Sequence, residues 1–106
     1  MRTQILFDNV DASIEHTVNI PIPCEQDMRF LIQLTKDSTD GNPRLYIEES
    51  IDNITWTVLC NYFEIITTPI GIKDNYFMGK YFRVRLVPNG TTTGTVYGII
   101  GYKTKP

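Results

Sequence analysis

Few residues in this chain could do covalent or coordination chemistry. There is one histidine, His16, and there are two cysteines, Cys24 and Cys60. A hydrolytic triad holds its base between a nucleophile and an orienting carboxylate. His16 is flanked by Glu15 and Thr17, and no G-x-S-x-G elbow occurs, so it reads as a surface or half-buried strand residue. An activated thiolate needs an electropositive neighbour or a helix N-terminus. Cys24 instead has Glu25 and Asp27 beside it, so both cysteines read as structural thiols. A disulfide between them stays open, because separation in sequence does not fix separation in space. Without a CxxC pair or a histidine cluster, no zinc site is expected.

Other constellations fail on spacing. The loop Asp37-Ser38-Thr39-Asp40-Gly41-Asn42 is rich in oxygen donors, but it lacks the D-x-D-x-D-G spacing and the closing Glu of a calcium loop. It reads as a hairpin loop built on Asx-turn chemistry. Glu48 and Glu49 are adjacent on a strand, so they point to opposite faces and cannot work as a glycosidase pair. The glycines are dispersed rather than gathered ahead of a helix, which argues against a phosphate cradle. No catalytic residue, cofactor or metal is therefore expected.

Aromatic residues are the one suggestive feature, with six Tyr, five Phe and one Trp. The run Tyr76-Phe77-Met78, ending a loop before Gly79, is a candidate contact patch of the kind interfaces use. Trp56, Phe82, Val84 and Leu86 are candidate core residues.

The elements that must position these residues are strands. Alternation of period two runs through Met28–Leu34, Leu45–Glu49 and Tyr81–Val87, where Phe82, Val84 and Leu86 oppose Tyr81, Arg83, Arg85 and Val87. Such segments bury one face and wet the other. Gln4–Phe7, His16–Ile22, Thr55–Cys60, Phe63–Thr67, Ile70–Ile72 and Thr95–Lys103 complete a set of eight or nine strands. Turn chemistry separates them at Asp8-Asn9, Pro21–Pro23, Asp37–Pro43, Asp52-Asn53, Lys73–Asn75 and Pro88–Gly94. Thr91-Thr92-Thr93 reads as a solvated tip. The glycines Gly94, Gly98 and Gly101 predict a bulge or close packing. The sequons at Asn53 and Asn89 read as turn residues rather than glycan sites. No stretch keeps a helical apolar period. The expected architecture is all-β: a two-sheet antiparallel sandwich of jelly-roll type, with a closed barrel as the alternative and residues 1–106 forming one domain.

Charge and hydropathy narrow the partner classes. The net charge of −2 lacks the basic surplus that holds a nucleic-acid backbone. The first apolar run, Ile5–Phe7, is too short for a signal h-region or a membrane span, which predicts a cytosolic start and no membrane partner.

Two motifs carry a resemblance. The first is Leu45-Tyr46-Ile47-Glu48-Glu49-Ser50-Ile51-Asp52-Asn53-Ile54-Thr55-Trp56, a strand, an S-x-D-x-x-x-W hairpin and a second strand. The second is Gly79-Lys80-Tyr81-Phe82-Arg83-Val84-Arg85-Leu86, followed by a polar tip and Gly94-Thr95-Val96-Tyr97-Gly98. Together they resemble small β-sandwich virion proteins of tailed bacteriophages, of the capsid-decorating or tail-associated type, auxiliary capsid proteins of crAss-like phages among them. The resemblance implies a non-enzymatic structural protein, assembled in multiple copies in the host cytoplasm and binding other virion proteins. The same motifs resemble discoidin-type carbohydrate-binding sandwiches, which would make surface glycans the partner and Tyr46, Tyr62, Tyr76 or Tyr97 the platform. The likeness spans Leu45 to Tyr102 and carries over no functional residues. In both groups Trp56 is expected to fill the space between the sheets.

Overall fold

The computed structural model describes residues 2–20, 28–58, 62–74 and 81–104. Alternating apolar and polar positions become strands β1 (Arg2–Asp11), β2 (His16–Ile20), β3 (Met28–Asp37), β4 (Arg44–Ser50), β5 (Thr57–Val58), β6 (Phe63–Glu64), β7 (Ile70–Asp74), β8 (Tyr81–Val87) and β9 (Thr95–Thr104). One sheet has the order β1-β9-β3-β7. The other has the order β2-β8-β4-β5, with β6 also paired to β4. Every pairing is antiparallel. Because β8 runs along the whole of one side of β4, β5 and β6 share the other side. They occupy a single strand position, and each sheet is four positions wide. The chain crosses between sheets at nearly every connection, which is the two-Greek-key path of a jelly roll.

The inward faces carry the core. Phe82, Val84 and Leu86 of β8 and Leu45 and Ile47 of β4 are buried, opposite Phe30, Ile32 and Leu34 of β3 and Val96 and Ile100 of β9. The Phe30 and Phe82 rings meet across the sandwich, 5.4 Å apart. Each such side chain contributes about 1.5–3 kcal/mol on leaving water. The strand expected at His16–Ile22 is described to Ile20, and the turn expected at Pro21–Pro23 lies outside the described residues. So do Cys24 and Cys60.

The turn expected at Asp8-Asn9 is a bulge instead. Asn9 takes a left-handed φ of 51°, and the pairing of β1 with β9 shifts register between Phe7 and Val10. Asn tolerates this conformation in turns and bulges alike, so sequence alone does not separate them. The bulged stretch faces Gly98 of β9. A Cβ built on Gly98 would lie 2.7 Å from Leu34 Cδ2 and 2.9 Å from Phe7 Cδ2. The close packing anticipated at this glycine lets both buried side chains reach the β9 backbone. We expect Gly98→Ala to destabilise the fold by about 1–3 kcal/mol in urea unfolding, because neither neighbour has free space to retreat into.

Candidate functional site

Polar and aromatic side chains organise the outer face of the five-stranded sheet. In register, Tyr46 pairs with Arg85 and Glu48 with Arg83 across β4 and β8. Glu48 points away from the core yet is only 5% exposed, because two arginines roof it. Arg83 Nε donates to Glu48 Oε1 at 2.9 Å, and Arg85 Nε donates to the same oxygen at 3.3 Å. Arg85 Nη1 reaches on to Glu15 at 3.0 Å. Each guanidinium also covers a ring: Arg83 over Trp56 at 4.1 Å, Arg85 over Tyr46 at 4.7 Å, and Arg44 over Tyr62 at 4.2 Å. Tyr46 and Tyr62 touch one another with centroids 5.8 Å apart.

This corrects the position expected for Trp56. It is half-buried on the outer face, stacked on Arg83, and not between the sheets. The cause is the turn before it. With Thr57 opposite Glu49, whose parity is inward, Trp56 falls on the outward parity shared by Ser50 and Glu48. Phe82, Val84 and Leu86 do lie in the core.

The hairpin joining β4 to β5 is locked by its own side chains. Ser50 Oγ accepts from the Asn53 amide at 2.9 Å and the Asp52 amide at 3.3 Å, and donates to Asp52 Oδ1 at 2.9 Å. Asp52 Oδ1 accepts from the amides of Thr55 at 2.7 Å and Ile54 at 2.9 Å. These bonds, the Thr55 amide first, hold the Asp52 carboxyl well below the usual carboxylate range. Asn53 supplies the left-handed residue with φ 63°. This rigid turn displays Ile51, 83% exposed, and Ile54, 82% exposed. Sequence reading passed over these two isoleucines. The signal for them was an apolar residue on each side of an Asp-Asn turn, where neither can reach the core.

His16 Nε2 donates to the Asp11 carbonyl at 2.9 Å, and its ring lies edge-on to Phe7 at 6.5 Å. That assigns it a fastening role at the β1–β2 turn. Among the described residues, no three His, Cys, Asp or Glu side chains gather as a metal site requires. Asp40, the most oxygen-rich part of the loop read above, is instead a latch. Its Oδ1 accepts from the Thr92 amide at 2.8 Å and the Thr93 amide at 3.2 Å, and its Oδ2 from the Thr92 hydroxyl. The Thr91–Thr93 tip is exposed at Thr92 and Thr93 as expected but is pinned there, and Thr91 departs from the expectation at 3% exposure. Gly94 takes φ +98°, and a Cβ there would lie 2.6 Å from the Asp37 carbonyl oxygen, so only glycine lets the two loops meet. The candidate patch Tyr76, Phe77 and Met78 lies outside the described residues.

Three outcomes are expected. Trp56→Ala should cost about 1–2 kcal/mol in urea unfolding, for a half-buried ring on a guanidinium, below the ~3–5 kcal/mol of a core tryptophan. Glu48→Ala should cost about 2 kcal/mol, because Arg83 and Arg85 lose a shared, nearly buried acceptor but keep partial access to water. The Thr92 hydroxyl, and then its amide, lower the Asp40 carboxyl to about 2. A lowered folded value stabilises above the ordinary carboxylate range and is lost as the pH falls through it. Amide exchange at Thr92 and Thr93 should therefore accelerate as pH falls from about 4 to about 2, relative to the intrinsic rate, and Asp40→Asn should remove that step.

No family model matches this sequence, and no curated protein does either. A solved structure described as the crystal structure of PirA superposes with a TM-score of 0.55, covering 96% of this chain and 92% of that one at 12% identity. At that identity, what the two chains share is the fold.

Proposed function

We propose that this chain is a non-enzymatic structural component of a tailed-phage virion. It is carried in many copies and docks on other particle proteins through the end of the sandwich that bears the β4–β5 hairpin. The observation that carries the reading is the preorganised tip: five hydrogen bonds hold a turn whose two isoleucines face solvent. An apolar knob ordered in advance loses little entropy on docking. Asp52 between the two isoleucines keeps its charge to low pH, which favours an apolar pocket with a polar rim over a lipid interior. Copies on a repeating lattice act together, so each contact needs only modest strength.

A second reading, a carbohydrate-binding sandwich, draws on the Tyr46–Tyr62 pair of the outer face. Arg85 and Arg44 already lie over those rings, where a sugar would stack. That occupancy favours the virion reading, and hits on a glycan array that Tyr62→Ala abolishes would reverse the preference.

The test is binding to purified shells or tails. The protein should co-purify with particles, and the double variant Ile51→Ser, Ile54→Ser should bind at least ~10-fold more weakly. Its melting temperature should hardly move, since both side chains are already in water. Recovery of the protein only from the soluble fraction of infected cells defeats the proposal, as does a double variant that binds as well as the parent.

A further inference from the structure

The outer face of the four-stranded sheet is polarised along its strands. Rows across the sheet follow from the pairing of β9 with β1 and β3, and of β3 with β7. At one end Lys103 pairs with Arg29, and Lys73 lies beside Leu31 in the next row. At the other end Thr95 sits between Asp11 and Asp37. The middle row is Ile5, Ile99, Gln33 and Gly71. All three cations are exposed, and no ion pair joins any of them to a carboxylate whose side chain is described. Like charges directly opposite on neighbouring strands are destabilising, and Arg29 with Lys103 is such a pair on the two central strands.

We infer that this face is an isologous interface between two copies of the chain, packed face to face with their strands antiparallel. A two-fold axis lying across the strands at the level of Ile99 and Gln33 preserves strand positions and reverses strand direction. Residues equidistant from the centre then meet. Arg29 comes opposite Asp37 of the second copy, since both lie four residues from Gln33. Lys103 comes opposite Thr95 of the second copy, which Asp11 and Asp37 flank. Gly101, with no side chain, comes opposite Tyr97, and Ile99 meets its own counterpart at the axis. Sheets stacked this way cross at about 30°, so opposition is closest in the middle rows and looser at the ends. The cationic end, which no described carboxylate pairs within one copy, is thereby neutralised by the other. The reverse arrangement, with strands parallel, would place six cations together and is excluded by charge.

Three strands about 4.8 Å apart and roughly 27 Å long, with the five residues of β7 beside them, give about 900–1,000 Å² of total buried surface. That is the low end of specific interfaces, the range of weak and transient contacts. The inference does not depend on what the β4–β5 tip binds.

Sedimentation of the whole chain at about 5–500 µM should show a monomer–dimer equilibrium that weakens several-fold between about 50 mM and 500 mM salt. Arg29→Glu alone and Asp37→Lys alone should each be monomeric, because each places like charges across the interface. An equimolar mixture of the two variants should dimerise again. In that mixed pair the two substituted side chains face each other with opposite charge, and the unaltered Asp37 of one copy meets the unaltered Arg29 of the other. Lys103→Glu is an independent variant: it should weaken the dimer, yet raise the monomer's melting temperature by about 2–5 °C through a new cross-strand pair with Arg29. A parent that stays monomeric throughout overturns the inference. So does a dimer indifferent to Arg29→Glu, or a mixture of folded variants that fails to associate.

Discussion

The register of β8 against β4 is the constraint on which the outer face of the five-stranded sheet depends. Side chains alternate with period two, so a slip of one residue would drive Arg83 and Arg85 into the interior and expel Phe82, Val84 and Leu86. Burying two guanidinium groups there would cost several kcal/mol each. That penalty fixes the pairing far more firmly than backbone hydrogen bonds alone, which a slipped strand could re-form. The same alternation passes from β4 to β5 and β6, and a separate register of β3 against β9 does the same for the four-stranded sheet. Once both are set, the solvent faces of the two sheets are fixed.

Glu48 shows how an outward position becomes interior-like without leaving the surface. Its carboxylate sits under Arg83 and Arg85, and each guanidinium rests in turn on an aromatic ring. Guanidinium is planar and weakly hydrated, so it stacks on a ring and presents its edge to a carboxylate at once. The result is a stiff polar layer over the five-stranded sheet. This face is largely satisfied by its own contacts, whereas the tip leaves Ile51 and Ile54 in solvent.

Much of the fold was legible because alternation is a strong signal when one face is wet. Met28–Leu34, Leu45–Glu49 and Tyr81–Val87 declared their inner and outer residues, and the structure keeps those faces from Arg29 onward. The misreadings share a cause: a residue type that serves two geometries. Asn9 can end a strand or bulge it, and only the partner strand decides which. Trp56 reads as core by its size, yet its face is set by how many residues the preceding turn consumes. Thr91–Thr93 is exposed at Thr92 and Thr93, but the carboxylate that ties it down, Asp40, is 52 residues away from Thr92 and leaves no local trace. Less of the candidate site was legible. The pairing of arginines with rings depends on cross-strand register, and the exposure of Ile51 and Ile54 depends on a turn held by side-chain hydrogen bonds. Neither leaves a periodic trace.

The place of β9 has a consequence for biosynthesis. It follows β8 in the chain but fills the slot between β1 and β3, pairing with both along their length. While a ribosome is still making the later strands, β1 and β3 have no common neighbour, and the four-stranded layer has an open seam at its centre. Closure must wait for β9, so assembly of the nascent chain is late and concerted rather than progressive, as expected when contacts join distant parts of a sequence. Until then Phe7, Ile32 and Leu34 lack their neighbour in β9, and the open seam leaves apolar surface and unpaired strand edges exposed to aggregation.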